Sequence, residues 1–110
     1  MRKTPTSVAI LLYMTCPTQR VAQRIAKTLV TEKLAACASI LGESESFYRW
    51  KGKQQRSSEI VVVAKTVKKL FRKIERRTLQ MHPYDCPCII AIKIEDGYGK
   101  YLEWIRNSTQ

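Results

Sequence analysis

Four cysteines and one histidine are the side chains of this 110-residue chain most able to bind something chemically specific. The thiols are at Cys16, Cys37, Cys86 and Cys88, and the imidazole is His82. Thiolate and imidazole together suit Cu(I), Zn(II) or other soft ions. No two cysteines have the C-x-x-C spacing of a zinc ribbon or a thioredoxin-like redox motif. Catalysis has little to draw on. There is one histidine, no G-x-S-x-G, no Gly-rich phosphate loop and no paired-carboxylate motif. Glu95-Asp96 reads as a turn and helix cap. An enzyme is therefore not expected.

The elements that would position these groups follow from the apolar pattern. Residues 8–14 form a continuous apolar run of strand length, expected to be buried on both faces. Thr15-Cys16-Pro17-Thr18 is expected to open a helix, with Pro17 in its first turn and Thr15 or Thr18 as cap. Val21, Ile25, Thr28 and Leu29 share its apolar face, widened by Ala22 and Ala26. Glu32 falls on that side too, either reaching solvent from the last turn or meeting a partner across an interface.

Residues 36–41 read as a strand, the polar stretch 42–46 predicts a bend, and 47–50 continue to a turn at Lys51-Gly52. Residues 60–64 are the apolar heart of the return strand. The next helix puts Val67, Leu70, Phe71, Ile74 and Met81 on one face. Lys68, Lys69, Arg72, Lys73, Arg76 and Arg77 cover the other half, and Pro83 ends it. Residues 88–94 give a fourth strand. A last short helix stripes Tyr98, Tyr101, Leu102 and Ile105.

The order is β-α-β-β-α-β plus a C-terminal helix, which is the α+β ferredoxin-like plan. Right-handed crossovers give an antiparallel sheet of order 4-1-3-2. Residues 1–6 are expected to be a flexible tail and residues 7–110 a single domain. Two helices cover only one sheet face, yet the central strands are apolar on both. Self-association is the economical cover for the second face. Tyr48 and Trp50, at an exposed hairpin tip, are the expected interface anchors.

In this sheet the end of the first strand and the start of the fourth share an edge. Cys16 is therefore expected near Cys86 and Cys88, with His82 joining from the end of the second helix. At most one of Cys86 and Cys88 is expected to join Cys16. The alternative is a buried cysteine pair, with His82 capping helix carbonyls. Cys37 and Lys65 fall at the opposite end of the sheet, outside that cluster.

Bulk properties narrow the classes. Net charge is +11 and hydrophobic residues make up 45% of the chain. The charge invites a nucleic-acid reading, but the basic helix has no interleaved aromatic to stack on bases and reads as a solvated face. No run approaches the ~20 apolar residues of a membrane span, so no membrane partner is expected. Without a secretory signal, the reading is a cytoplasmic protein with reduced thiols.

Several stretches, in this order, resemble the CutA-type divalent-cation tolerance family. They are Thr15-x-Pro17, Glu32-Lys-Leu-Ala-Ala-Cys37, Tyr48-x-Trp50-x-Gly52-Lys53, Glu59 with Lys65-Thr66, His82-Pro-Tyr84-x-x-Pro87 and Tyr101-Leu-x-Trp104. The resemblance implies a homotrimer, with three sheets around a threefold axis and hairpins lying against neighbouring subunits. It implies a role in tolerance of copper and other divalent metals, with no firmly attached reaction and no obligatory cofactor. It also implies an intersubunit cleft lined by Cys37, Trp50, Glu59, Lys65, His82 and Tyr84. Cys86, Cys88 and the strongly basic second helix depart from the family pattern. Two functions stand side by side: a homotrimeric metal-tolerance protein that binds copper or a related ion, and a trimeric small-ligand sensor.

Overall fold

The structure, a computed structural model, describes residues 7–110. The tail expected at residues 1–6 lies outside the described residues. Along the chain come β1 (Ala9–Cys16), α1 (Gln19–Thr31), β2 (Cys37–Trp50) and β3 (Lys53–Val67). A 3-10 turn (Lys68–Leu70), α2 (Phe71–Leu79), β4 (Ile89–Lys93) and α3 (Gly99–Asn107) follow. The sheet is antiparallel with order β2-β3-β1-β4, the expected order read from its other edge.

Alternation along the central strands divides the sheet into two faces. Ile10, Leu12, Met14 and Cys16 of β1 sit beside Ala64 and Val62 of β3, and pack under Ala22, Ile25 and Leu29 of α1 and Ile74 of α2. These residues are the main core. The other face carries Leu11 and Tyr13, Val63, and Ile90 and Ile92 of β4 in neighbouring register. Ile90 and Ile92 remain half exposed. At one end of this face α3 brings Tyr101 against Cys37 and Lys65.

Several local expectations are corrected. Cys16 belongs to β1, not to a helix start. Thr18 is the cap of α1, its hydroxyl oxygen accepting the Val21 N–H at 3.2 Å, so Pro17 precedes the helix rather than opening it. The bend expected over 42–46 is confined to its first residue. β2 runs unbroken to Trp50, with one irregularity between Ile40 and Gly42, where Gly42 has φ 109°. Glu43 and Glu45 face solvent there while the backbone ladder continues.

Lys51 and Gly52 both have positive φ, 54° and 78°. A two-residue turn of this kind matches the twist of the strands it joins. The resulting ribbon of β2 and β3 extends beyond the sheet, and the molecule measures 53 × 25 × 22 Å.

α2 is shorter than its apolar stripe implies. Val67 is claimed by β3, where it pairs with Ala9. The helix ends at Leu79, before Pro83, and the Met81 and His82 N–H groups both donate to the Thr78 carbonyl at 2.9 Å. Glu32 caps the C-terminus of α1 and meets Arg77 of α2 through a forked ion pair of 2.9–3.1 Å. Its partner is therefore in its own subunit.

Candidate functional site

A groove of about 550 Å³ opens where the ribbon leaves the sheet. Ser46, Tyr48 and Trp50 of β2 line it, with Gln55 and Glu59 of β3. Their two-residue spacing puts them on one face of the ribbon, and Tyr48 pairs directly with Gln55. Thr15 closes the base from the end of β1. The loop before β4 supplies the facing wall, with Tyr84, Asp85, Cys86 and Cys88.

The expected metal set of Cys16, His82, Cys86 and Cys88 does not converge within one subunit. Among the described residues, no three His, Cys, Asp or Glu side chains are placed to hold a metal ion together. Cys16 is fully buried on the helix-covered face, paired with Ile60, and does not line the groove. Burial, then the Glu59 charge, pushes its thiol up to about 11.

His82 is also buried, and both of its ring nitrogens are engaged. Nε2–H donates to the Thr15 carbonyl at 2.8 Å, and Nδ1 accepts the Tyr84 N–H at 3.2 Å. This pairing selects the tautomer and leaves no free ligand nitrogen. The carbonyl it binds is in a strand, not in a helix as the capping alternative had it.

Cys86 is exposed and Cys88 half-buried, and both line the groove. Neither reaches Cys16, whose side chain lies on the helix-covered face. Burial, then Glu59, raises the Cys88 thiol above its ordinary range. Burial and then the Glu59 carboxylate raise Tyr84 in the same way. Glu59 therefore acts electrostatically across the groove on both Tyr84 and Cys88.

The expected cleft set divides in two. Trp50, Glu59 and Tyr84 share the groove, and His82 packs behind Tyr84 with ring centroids 4.8 Å apart. Cys37 and Lys65 are neighbours in the ladder at the far end of the second face. Cys37 Sγ lies 3.8 Å from the Tyr101 hydroxyl, and the Lys65 ammonium sits 5.4 Å from that ring's centroid. The Tyr101 hydroxyl, followed by Cys37, raises the ammonium above its usual range against the opposing effect of burial. Lys65 and Glu59 thus belong to different clusters. Thr15, Ser46, Gln55 and Asp85 were not anticipated. Period-two alternation from Trp50 would have found Ser46, and the Tyr48–Gln55 register would have found Gln55.

The model of the CutA1 divalent ion tolerance protein family matches residues 10–108. The divalent-cation tolerance protein CutA of Thermus thermophilus is 39% identical over 99 residues, covering 90% of this chain and 96% of its own length. The Cut A1 structure from that organism superposes with a TM-score of 0.91, at 38% identity over 93% of this chain and 99% of the other. The chloroplastic protein CutA of Arabidopsis thaliana is 40% identical over 93% of this chain, which spans 56% of that relative's length. A CutA structure from Archaeoglobus fulgidus, described as periplasmic, covers 93% of this chain and 99% of its own at 37% identity, with a TM-score of 0.89. No described helix is long and apolar enough to cross a membrane. On sequence and on fold together, the chain belongs to the CutA1 divalent ion tolerance family.

Proposed function

We propose that the protein acts in tolerance of, or response to, divalent metal ions as a homotrimer that binds copper or a related ion weakly. The observation that carries this reading is the groove, where Glu59, Asp85, Cys86 and Cys88 face one opening. Carboxylates and thiols are metal donors, but the set in one subunit is incomplete. A neighbouring subunit would close the opening. The half-exposed Ile90 and Ile92, with Tyr48 and Trp50 on the ribbon, support self-association. The role is binding rather than catalysis, with neither nucleic acid nor membrane as partner.

The four free cysteines favour a reducing, cytoplasmic setting. Cell fractionation that recovered the protein from an oxidising compartment would overturn that part. A second reading, a small-ligand sensor, is favoured by the volume and aromatic walls of the groove, which match those of small-molecule sites. Calorimetric titration with Cu(I), Cu(II) and Zn(II), beside a metabolite thermal-shift screen, separates the two. Metal binding by a trimer is expected. A metabolite shift with no metal binding would install the sensor reading instead.

A further inference from the structure

We infer that Cys86 and Cys88 together form a two-thiolate site for one soft monovalent ion, Cu(I), on the wall of the groove. This inference rests on the metal-binding reading above and narrows it, from copper or a related ion to Cu(I) at two named sulfurs.

The placement of the two thiols is the first support. Both line the same groove, on the loop leading into β4. Cys86 is exposed and Cys88 half-buried, so one thiol is reachable from solvent while the other sits deeper. Tyr48, Trp50 and Tyr84 line the same space.

The shortage of further donors is the second support. Among the described residues, no third His, Cys, Asp or Glu side chain completes a metal-binding group with this pair. His82, the nearest imidazole in sequence, has both nitrogens committed. Zn(II) in structural sites takes four ligands, and the hard cations take six or more oxygens. Cu(I) is selected by soft sulfur ligands and is stable with only two of them.

Charge is the third support. Two bare thiolates beside Glu59 and Asp85 would concentrate negative charge in the groove. Binding replaces two thiol protons with one cation. Two R–SH groups and Cu⁺ give [Cu(SR)₂]⁻ and two H⁺, with no change of oxidation state. The product carries one negative charge where the free dithiolate would carry two.

The test is an anaerobic titration of the reduced full-length protein with Cu(I) against a chromophoric Cu(I) chelator. The variants are the Cys86→Ser/Cys88→Ser double substitution and, separately, Cys37→Ser. The double variant is expected to lose about a hundredfold or more in Cu(I) affinity, because no soft donor pair remains. Cys37→Ser should bind as the wild type does. Unchanged affinity in a folded double variant would overturn the inference while leaving the broader metal reading standing. Wild-type protein that binds none of Cu(I), Cu(II) and Zn(II) would remove both. A second readout avoids dependence on the variants: Cu(I) should protect Cys86 and Cys88 of the wild type from alkylation, scored by peptide mass spectrometry. Unprotected alkylation of both at saturating Cu(I) would equally overturn the site.

Discussion

The His82 imidazole fastens the end of β1 to the loop that carries Cys86 and Cys88. Nε2 lies 2.8 Å from the Thr15 carbonyl, and Nδ1 accepts the Tyr84 N–H at 3.2 Å. Sixty-seven residues separate His82 from Thr15, so the ring closes a long-range contact with a single buried group. Its role is to position the groove wall rather than to hold the ion.

Replacing His82 with Phe keeps the ring volume but strands the polar groups on both sides. Leaving a buried donor or acceptor unpaired costs about 1–3 kcal/mol. Urea unfolding should show a loss of that size. The Cu(I) affinity of the folded variant should change little. A variant as stable as wild type but unable to bind metal would make His82 a ligand and reverse this assignment.

Cys16 gives a pH dependence whose sign is fixed by its environment. Burial raises the folded-state thiol from an ordinary 9.0 to about 11. Below pH 9 the thiol is protonated in both folded and unfolded chains, and the stabilisation is fully present. Between pH 9 and about 11 the unfolded chain loses its proton and the folded one does not, so stability falls. The loss amounts to about 2–3 kcal/mol by pH 11, at about 1.4 kcal/mol per unit. The measurement is the difference in urea midpoint between wild type and Cys16→Ala from pH 7 to pH 11, in which the other titrating groups cancel. Parallel curves would refute it. Under native conditions, alkylation should reach Cys86 first and Cys16 only after unfolding.

The basic face of α2 is expected to bind nucleic acid only weakly. Lys68 and Lys69 of the 3-10 turn and Arg72, Lys73 and Arg76 of α2 are exposed, and the one aromatic between them, Phe71, is half-buried with the Arg72 guanidinium 5.4 Å from its ring centroid. Two of the cations on this surface are already neutralised, Arg72 by Glu75 and Arg77 by Glu32. Contacts limited to phosphates weaken steeply with salt. Filter binding to a random duplex should vanish by physiological ionic strength, and tight retention there would show that α2 is an interface after all.

Burial accounts for what was legible in the sequence. The runs at 8–14 and 60–64 are apolar because β1 and β3 are central, so strand order and topology followed from them. The bend expected over 42–46 is narrower than its polar composition implied, because beyond Gly42 the ribbon's pairing depends on backbone hydrogen bonds that side chains do not report. Val67 looked helical because it continues the stripe of Leu70 and Ile74, but pairing with Ala9 holds it in β3. At the site, Trp50, Tyr84, Cys86 and Cys88 were legible by residue type. The exclusion of Cys16 was not, because it turns on which face of β1 its side chain takes, and the register fixes that only at the Cys16–Ile60 pair.

That uncovered second face leads to the strongest expectation, trimerisation through the ribbon and the sheet. Helices α1 and α2 cover one face, and α3 covers only the Cys37–Lys65 end of the other. Ile90 and Ile92 stay 49% exposed, and Trp50 and Tyr48 are 46% and 44% exposed on the ribbon. A few hundred Å² of contiguous apolar surface costs about 25 cal/mol per Å² when left in water. A neighbouring subunit's sheet and ribbon would remove that cost, with Trp50 as an aromatic anchor. Trp50→Ala should weaken assembly by about 2 kcal/mol or more, the scale of a central aromatic at an interface. The subunit fold should survive, since Trp50 lies outside the core and the Lys51-Gly52 turn is fixed by its own backbone. Light scattering across a dilution series would show the variant dissociating at higher concentration than the wild type. Wild-type protein that is a monodisperse monomer at micromolar concentration would sink the argument.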